Sequence, residues 1–395
     1  MKITSVEIVP IEQKHKGQFI VSTGPTNAPD DFILVRIKTD EGFEGIGSSY
    51  SFPRKPLLMS GCTRDGAMNL MRDMASLLIG QNPMQLSQIL GTLEKAISGF
   101  FTENWYILSH FDHALYDLKG RIMNVPVYEL LGGLRRESIP LEFIVSFLPT
   151  TEEIAELSKR VIDEGYKSVK VHVNNDFENT KARVKAVRKA VGGDIPIAID
   201  MGMRYTAIDA ARTLEYLDKE YGLNFAEQPL FPYDMSGHQL LRSKTNVPLT
   251  ADHSAMSLSQ AYEHIKLNNF DSYHCLLTRV GGIGRAAKYC DMLETAQLNY
   301  QICNMDNSIA GAAAAHFAVS RSDRGGRFYD ELPVYLYLHG TLDTASITDD
   351  IVKEQAAVIK KGVLYAPKGP GLGLELDEEM VKRYIAPDVE TIVVK

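Results

Sequence analysis

From Ile139 onward the chain repeats one pattern about every 25 residues: a short apolar run, a turn, and an amphipathic helical stretch. Parallel strands need a long crossover between them, so this rhythm specifies a parallel sheet wrapped in helices. The runs are Leu141 to Phe147, Ser168 to Val173, Ile195 to Asp200, Leu223 to Glu227, Val247 to Asp252, Ser272 to Leu277, Asn299 to Asn304, and a last one around Arg327 to Glu331. Thr150-Thr-Glu-Glu153 opens the first helix as a capping box, with Ile154, Leu157 and Val161 on one face. Further helices are expected near 177–191, 206–220, 234–243, 257–267, 283–296 and 307–320. About eight such units predict a (β/α)8 barrel rather than an open sheet.

The flanks differ. Residues 1 to about 60 read as antiparallel β: Phe32 to Lys38 alternates, Asp40-Glu-Gly42 turns, and Phe43 to Ser48 returns. Polar loops are expected at about 14–30 and 50–56. From about 64 to 122 the pattern is helical, with Leu108, Phe111, Leu115 and Leu118 on one stripe and Gly120 closing the run. Val125 to Gly133 reads as a short helix ending on glycine. The expected units are an α+β capping domain over 1–135, the barrel over 136–331, and a C-terminal segment over 332–395 that returns to the cap.

The formal net charge of -8, without a basic block, disfavours nucleic-acid binding. Cys62, Cys275, Cys290 and Cys303 are scattered without CxxC spacing, so a reduced, cytoplasmic protein is expected rather than a disulfide framework or zinc ribbon. The first ten residues alternate like a strand and lack a signal peptide's apolar centre. No run approaches the ~18 apolar residues of a membrane span.

Three runs end in a carboxylate: Asp200, Glu227 and Asp252. In a barrel, catalytic side chains sit where strands end, so consecutive strands would bring these acids together. Any one of them could instead cap the following helix. Three in succession favour a hard divalent cation, and Mg²⁺ above others because every candidate donor is oxygen. Lys170 and His172, two apart on one strand, share a face next to the Asp200 strand. A dication nearby favours a neutral imidazole able to accept a proton, whereas the lysine keeps its charge and binds a substrate carboxylate. Gly282-Ile-Gly-Arg-Ala-Ala287 is similar to a dinucleotide fingerprint, but no acid ends a strand about twenty residues on. It reads instead as a tight turn into a barrel helix. Asp330 and Glu331 either bond a substrate or begin a loop.

Together, Ala114-Leu-Tyr-Asp-Leu-Lys-Gly120, Val125 to Gly133, Glu227-Gln-Pro229, Ala251-Asp252 with Ser254, Gly281-Gly-Ile283, Ser308 to His316 and Gly369 to Gly373 resemble the enolase superfamily. The likeness is to its muconate-lactonizing and mandelate-racemase-like branches. It implies a capping α+β domain over a modified (β/α)8 barrel, with Mg²⁺ held by Asp200, Glu227 and Asp252. It also implies removal of the proton α to a carboxylate to give a metal-stabilised enediolate. The substrate would be a small-molecule carboxylate, the loops 14–30 and 50–56 would close over it, and the assembly would be a homo-oligomer. Lys170 and His172 fall on the family's Lys-x-Lys strand, where His172 replaces the second lysine. Gly202 replaces the usual Asn, and His253 follows the third ligand in place of an acid. Leu276 and Cys303 occupy the places where an opposite-face catalytic group is expected. His253, Cys303, Asp306, Asp330, Glu331 and Tyr50 remain candidates near the substrate. Without an opposite-face base, a one-base reaction fits best: dehydration of an acid sugar or other hydroxycarboxylate. The alternatives are a racemase, epimerase or cycloisomerase of an amino-acid derivative or other carboxylate, and a lapsed, ligand-binding relative. Alternation with Asp252 predicts that His253 points away from the site.

Overall fold

The computed structural model describes residues 1–13, 19–21, 24–26, 30–49, 62–98, 104–145, 150–304, 306–323, 328–332, 350–354, 356 and 358–395. The chain opens with β1 (Ile3–Gln13), whose apolar side chains are buried, followed by the short strands β2 (Phe19–Val21) and β3 (Gly24–Thr26). β2 and β3 pair with each other, so the stretch expected as a loop over 14–30 contains a small antiparallel ladder. β4 (Asp30–Thr39) and β5 (Glu44–Ser48) form the expected hairpin, and its turn places Gly42 at φ 84°, a conformation glycine adopts without penalty.

Helices α1 (Arg64–Ser76), α2 (Leu86–Ile97) and α3 (Trp105–Met123) cover this sheet, and the single turn α4 (Val127–Leu130) follows. Ile107, Leu108, Phe111, Leu115 and Leu118 of α3 join the cap's own apolar cluster. Gly120 does not close α3, as the sequence suggested; the helix runs on to Met123 and is capped by Asn124 in the left-handed region. Gly120 is needed for another reason. A Cβ there would lie 2.7 Å from Gly371 Cα, because the glycine-rich turn near the C-terminus packs directly on the helix.

The barrel follows in chain order. β6 (Ser138–Pro140) leads to β7 (Glu142–Val145), and α5 (Thr151–Asp163) begins with the expected Thr150–Glu153 capping box. Next come β8 (Ser168–His172), α6 (Phe177–Val191), β9 (Ile197–Asp200), α7 (Ala207–Tyr221), the two-residue β10 (Ala226–Glu227) and α8 (Met235–Arg242). β11 (Leu249–Ala251), α9 (Leu258–Leu267), β12 (Ser272–Leu276), the single turn α10 (Leu277–Val280), α11 (Ile283–Thr295), β13 (Asn299–Cys303) and α12 (Ser308–Val319) complete it.

Strands β7 to β13 form one parallel sheet in sequence order. The eighth stave is only two residues long among the described residues. Glu331 N donates to Ile302 O at 3.0 Å, and Glu142 N donates to Asp330 O at 3.1 Å, so Asp330 and Glu331 join β13 to β7 and close the ring. The fold is the expected modified barrel with an α+β cap. Its second large apolar cluster lies between the strands and their helices. Toward the C-terminus, β14 (Val358–Lys360) and β15 (Val363–Tyr365) extend from β6, α13 (Glu378–Tyr384) follows, and β16 (Ile392–Val394) pairs antiparallel with β1. None of the four cysteines is joined in a disulfide, and no helix among the described residues is long and apolar enough to cross a membrane.

Candidate active site

Strand register sets the site. His172 of β8 lies opposite Asp200 of β9, and Asp200 lies opposite Glu227 of β10, so an imidazole and two acids form one row across three staves. His172 Nε2 is 2.8 Å from Asp200 Oδ2, and Gly202 N donates to Asp200 Oδ1 at 2.9 Å. Gly202 stands at φ 56°, and a Cβ there would meet Arg204 Nη1 at 2.9 Å. Gln228 fixes the next stave. Its Oε1 accepts from Asp252 N at 3.0 Å and from Ser254 N at 2.9 Å, which holds the turn beyond β11 in place.

That turn overturns one expectation. β11 stops at Ala251, Asp252 has φ -119° and ψ -85°, and His253 to Ala255 form a single 3-10 turn. Strand alternation therefore no longer governs His253. Its ring folds back so that Nε2 is 3.1 Å from Asp252 Oδ2. Arg279, from α10, takes the other oxygen: its Nη1 donates to Asp252 Oδ1 at 2.6 Å. Burial would raise Asp252, but Arg279, His253 and His274 outweigh it and hold the carboxyl well below its ordinary range. His253 is lowered by burial, with Asp252 pulling the other way.

Beneath the row lies a second layer. The buried Lys170 ammonium contacts Glu227 and Glu331 rather than open solvent. Burial opposes its charge, yet Glu227, Glu331, Asp200 and Glu142 raise it well above the usual lysine range. This is opposite in sign to the effect of a neighbouring cation, because the sequence did not reveal how many acids surround it. His274 Nδ1 is 3.5 Å from Glu227 Oε1 and 3.8 Å from Asp252 Oδ1, while its Nε2 is 3.8 Å from Glu331 Oε1. Glu227 and Glu331 overcome burial and push His274 up to about 9. Glu142 accepts from Ser168 Oγ at 2.7 Å, and burial followed by the Glu331 charge raises it well above the carboxylate range.

The residues present fit a hard cation. Burial, and then the Asp200 charge, push Glu227 up to about 8, a crowding of buried acids that a divalent ion would relieve. Asp200 is held at about 2, since His172 and Lys170 outweigh the cost of burying it. Glu227, Asp252 and His274 offer ligand atoms within 4.8 Å of one another.

Other expected residues fall in three places. Glu331 and Cys303 face the interior beside His274, and the three could share a metal by their spacing. Asp330 is drawn away: Arg136 Nη2 donates to it at 2.9 Å and Ile302 N at 2.8 Å, so it serves barrel closure. Asp306 is buried just before α12, where Asn304 Nδ2 donates to its backbone carbonyl at 3.3 Å. Tyr50 and the loop over 50–56 lie outside the described residues, as do residues 14–18, 22–23 and 27–29 of the other expected loop. Leu276 is buried at the end of β12 opposite Cys303. Sequence reasoning missed His274, Arg279 and Glu142. Period-two alternation from Leu276 would have placed His274 on the same inward face. Arg279 carries no such signal, because it sits in a turn.

The family profile described as Enolase C-terminal domain-like matches residues 153–380, and that of the mandelate racemase / muconate lactonizing enzyme N-terminal domain matches residues 4–132. The chain belongs to the mandelate racemase/muconate lactonizing branch of the enolase superfamily and is an enzyme. It is 28% identical over 389 residues to N-succinyl-L-Arg/Lys racemase of Bacillus cereus, covering 97% of each chain. A mandelate racemase/muconate lactonizing family protein from Azoarcus superposes with a TM-score of 0.88 at 30% identity, over 100% of both chains. The dipeptide epimerase of Enterococcus faecalis, solved with Mg and the dipeptide L-Leu-L-Tyr, superposes with a TM-score of 0.82 at 26% identity, over 95% of this chain and 100% of that one.

Proposed function

We propose that the protein is a Mg²⁺-dependent racemase or epimerase of an N-acylated amino acid or dipeptide, acting in the cytoplasm. The observation that carries this is the inward turn of His253. It gives each of two acids its own imidazole, His172 on Asp200 and His253 on Asp252. A stereochemical inversion needs one group to remove the α proton and another to return one from the opposite side. Dehydration fitted best only while a second group was missing, so it loses its premise. The named relatives, which act on succinylated amino acids or bind a dipeptide, favour an amino-acid derivative as substrate.

Asp200, Glu227 and Asp252 would hold the metal. When bound, Mg²⁺ supplies positive charge beside the substrate carboxylate as negative charge builds there. His172, beside Asp200, and His253, beside Asp252, would exchange the proton. Lys170 balances the buried acids below, and its ammonium neutralises Glu331 rather than holding the substrate. Arg279 orients Asp252.

The test incubates the Mg²⁺-loaded protein with single enantiomers of N-succinyl amino acids, with dipeptides and with hydroxycarboxylates in D₂O. ¹H NMR and chiral chromatography then follow each substrate. Exchange of the α proton with inversion supports the proposal. Loss of water from a hydroxycarboxylate, or no exchange on any of these acids, contradicts it.

A further inference from the structure

The glycine turn that imitates a dinucleotide fingerprint is already occupied by a carboxylate of the protein's own cap. Asp112, in the middle of α3, accepts from Ile283 N at 2.6 Å and from Gly284 N at 3.2 Å, at the start of α11. Gly281 and Gly282 stand at φ 104° and 100°, and a Cβ on Gly282 would lie 2.3 Å from Asp112 Cγ. Successive N–H groups at a helix start make an anion cradle. Here the anion is an aspartate from another layer of the fold.

Two further contacts tie the same turn to α3. Ser109 Oγ, which also meets Tyr106 O at 2.6 Å, lies 3.2 Å from Thr278 O. Arg285 stacks on Trp105 at 3.4 Å and donates from Nε to Val280 O at 2.7 Å. The segment gripped between these contacts is α10, which carries Arg279 to Asp252.

We infer that Asp112 is a positioning residue: by filling the cradle at Ile283 and Gly284 it locks the 277–284 turn to the cap and so sets Arg279 on Asp252. This rests on the proposed role of Asp252 as a metal ligand. Stability alone does not explain the choice of residue. Burial pushes Asp112 up to about 7 despite the Gly284 and Ile283 N–H groups, with Glu94 raising it further and Lys288 opposing. A carboxyl buried under that penalty is not a choice made for stability alone.

The test compares wild type, Asp112→Ala, Asp112→Asn and Arg279→Ala, with and without Asp112→Ala combined. Amide hydrogen exchange reports on residues 277–284, and Mn²⁺ binding is followed by electron paramagnetic resonance. Asp112→Ala is expected to speed exchange across 277–284 and to shift the Mn²⁺ dissociation constant about tenfold. Sodium formate, filling the vacated carboxylate position, restores both. In the Arg279→Ala background the Mn²⁺ shift disappears. Asp112→Asn keeps one acceptor and gives a smaller change in the same direction, and it carries the test if the alanine variant does not fold. Unchanged exchange, an effect insensitive to formate, or the same Mn²⁺ shift without Arg279 overturns the inference. If wild type binds no Mn²⁺, the metal role of Asp252 fails, while hydrogen exchange still decides whether Asp112 holds the turn.

Discussion

Two regions of this protein bury carboxylates, and they treat them differently. On the cap helix α3, Asp117 accepts from Ile46 N at 2.8 Å, from Leu372 N at 2.7 Å and from Arg121 Nε at 2.7 Å, and Asp112 accepts from two N–H groups of α11. At the barrel mouth, Asp200, Glu227 and Asp252 meet imidazoles, an ammonium, a guanidinium and one another. Backbone donors are fixed in place and cannot change charge, so they suit acids that join layers of the fold. Side-chain partners can titrate or give way to a cation, so they suit the acids proposed to hold one.

The contrast can be broken by substitution. Glu227→Gln is expected to abolish Mg²⁺-dependent α-proton exchange, by at least about 10⁴-fold, while the fold persists. NMR exchange assays beside circular dichroism check this, and residual turnover near wild type would erase the distinction. His172→Gln and His253→Gln should each lower inversion by about 10²–10³-fold, with each variant still exchanging one enantiomer's α proton. Chiral analysis of the deuterated product reads that asymmetry.

On the cap side, Asp117→Ala should cost about 3–5 kcal/mol in urea unfolding, since it strands two buried N–H groups and Arg121. Metal affinity should be unchanged. Asp112 gives a pH signature. Its folded value of about 7 lies above the ordinary 3.8, so its contribution to stability is complete below about pH 4 and is lost as pH rises through 7. Asp112→Asn removes that dependence. Between about pH 4 and about pH 8, wild type should lose on the order of 4 kcal/mol, as an upper bound, relative to the variant. The smallest effect is expected at Thr150→Ala, which loses the capping box of α5 for about 1 kcal/mol and leaves turnover alone.

Much of this was legible in the sequence because it rests on local rules. The strand-helix rhythm from Ile139, the Thr150–Glu153 cap and the acids at Asp200 and Glu227 all follow from periodicity and position along a strand. What escaped depends on chain breaks and distant contacts. His253 defeated alternation because β11 ends one residue before Asp252. Gly120 looked like a helix terminus, yet it marks the approach of Gly371, about 250 residues away. Asp112 and Gly282 find each other only once the cap and barrel have packed. No short window of sequence contains both.

The row of three acids is tested most directly by Mg²⁺ isothermal titration calorimetry at about pH 8 on wild type, Asp200→Asn, Glu227→Gln and Asp252→Asn. A single site in wild type that is lost in all three variants is expected. Equal Mg²⁺ affinity in any of those variants would contradict a cation shared by the three staves.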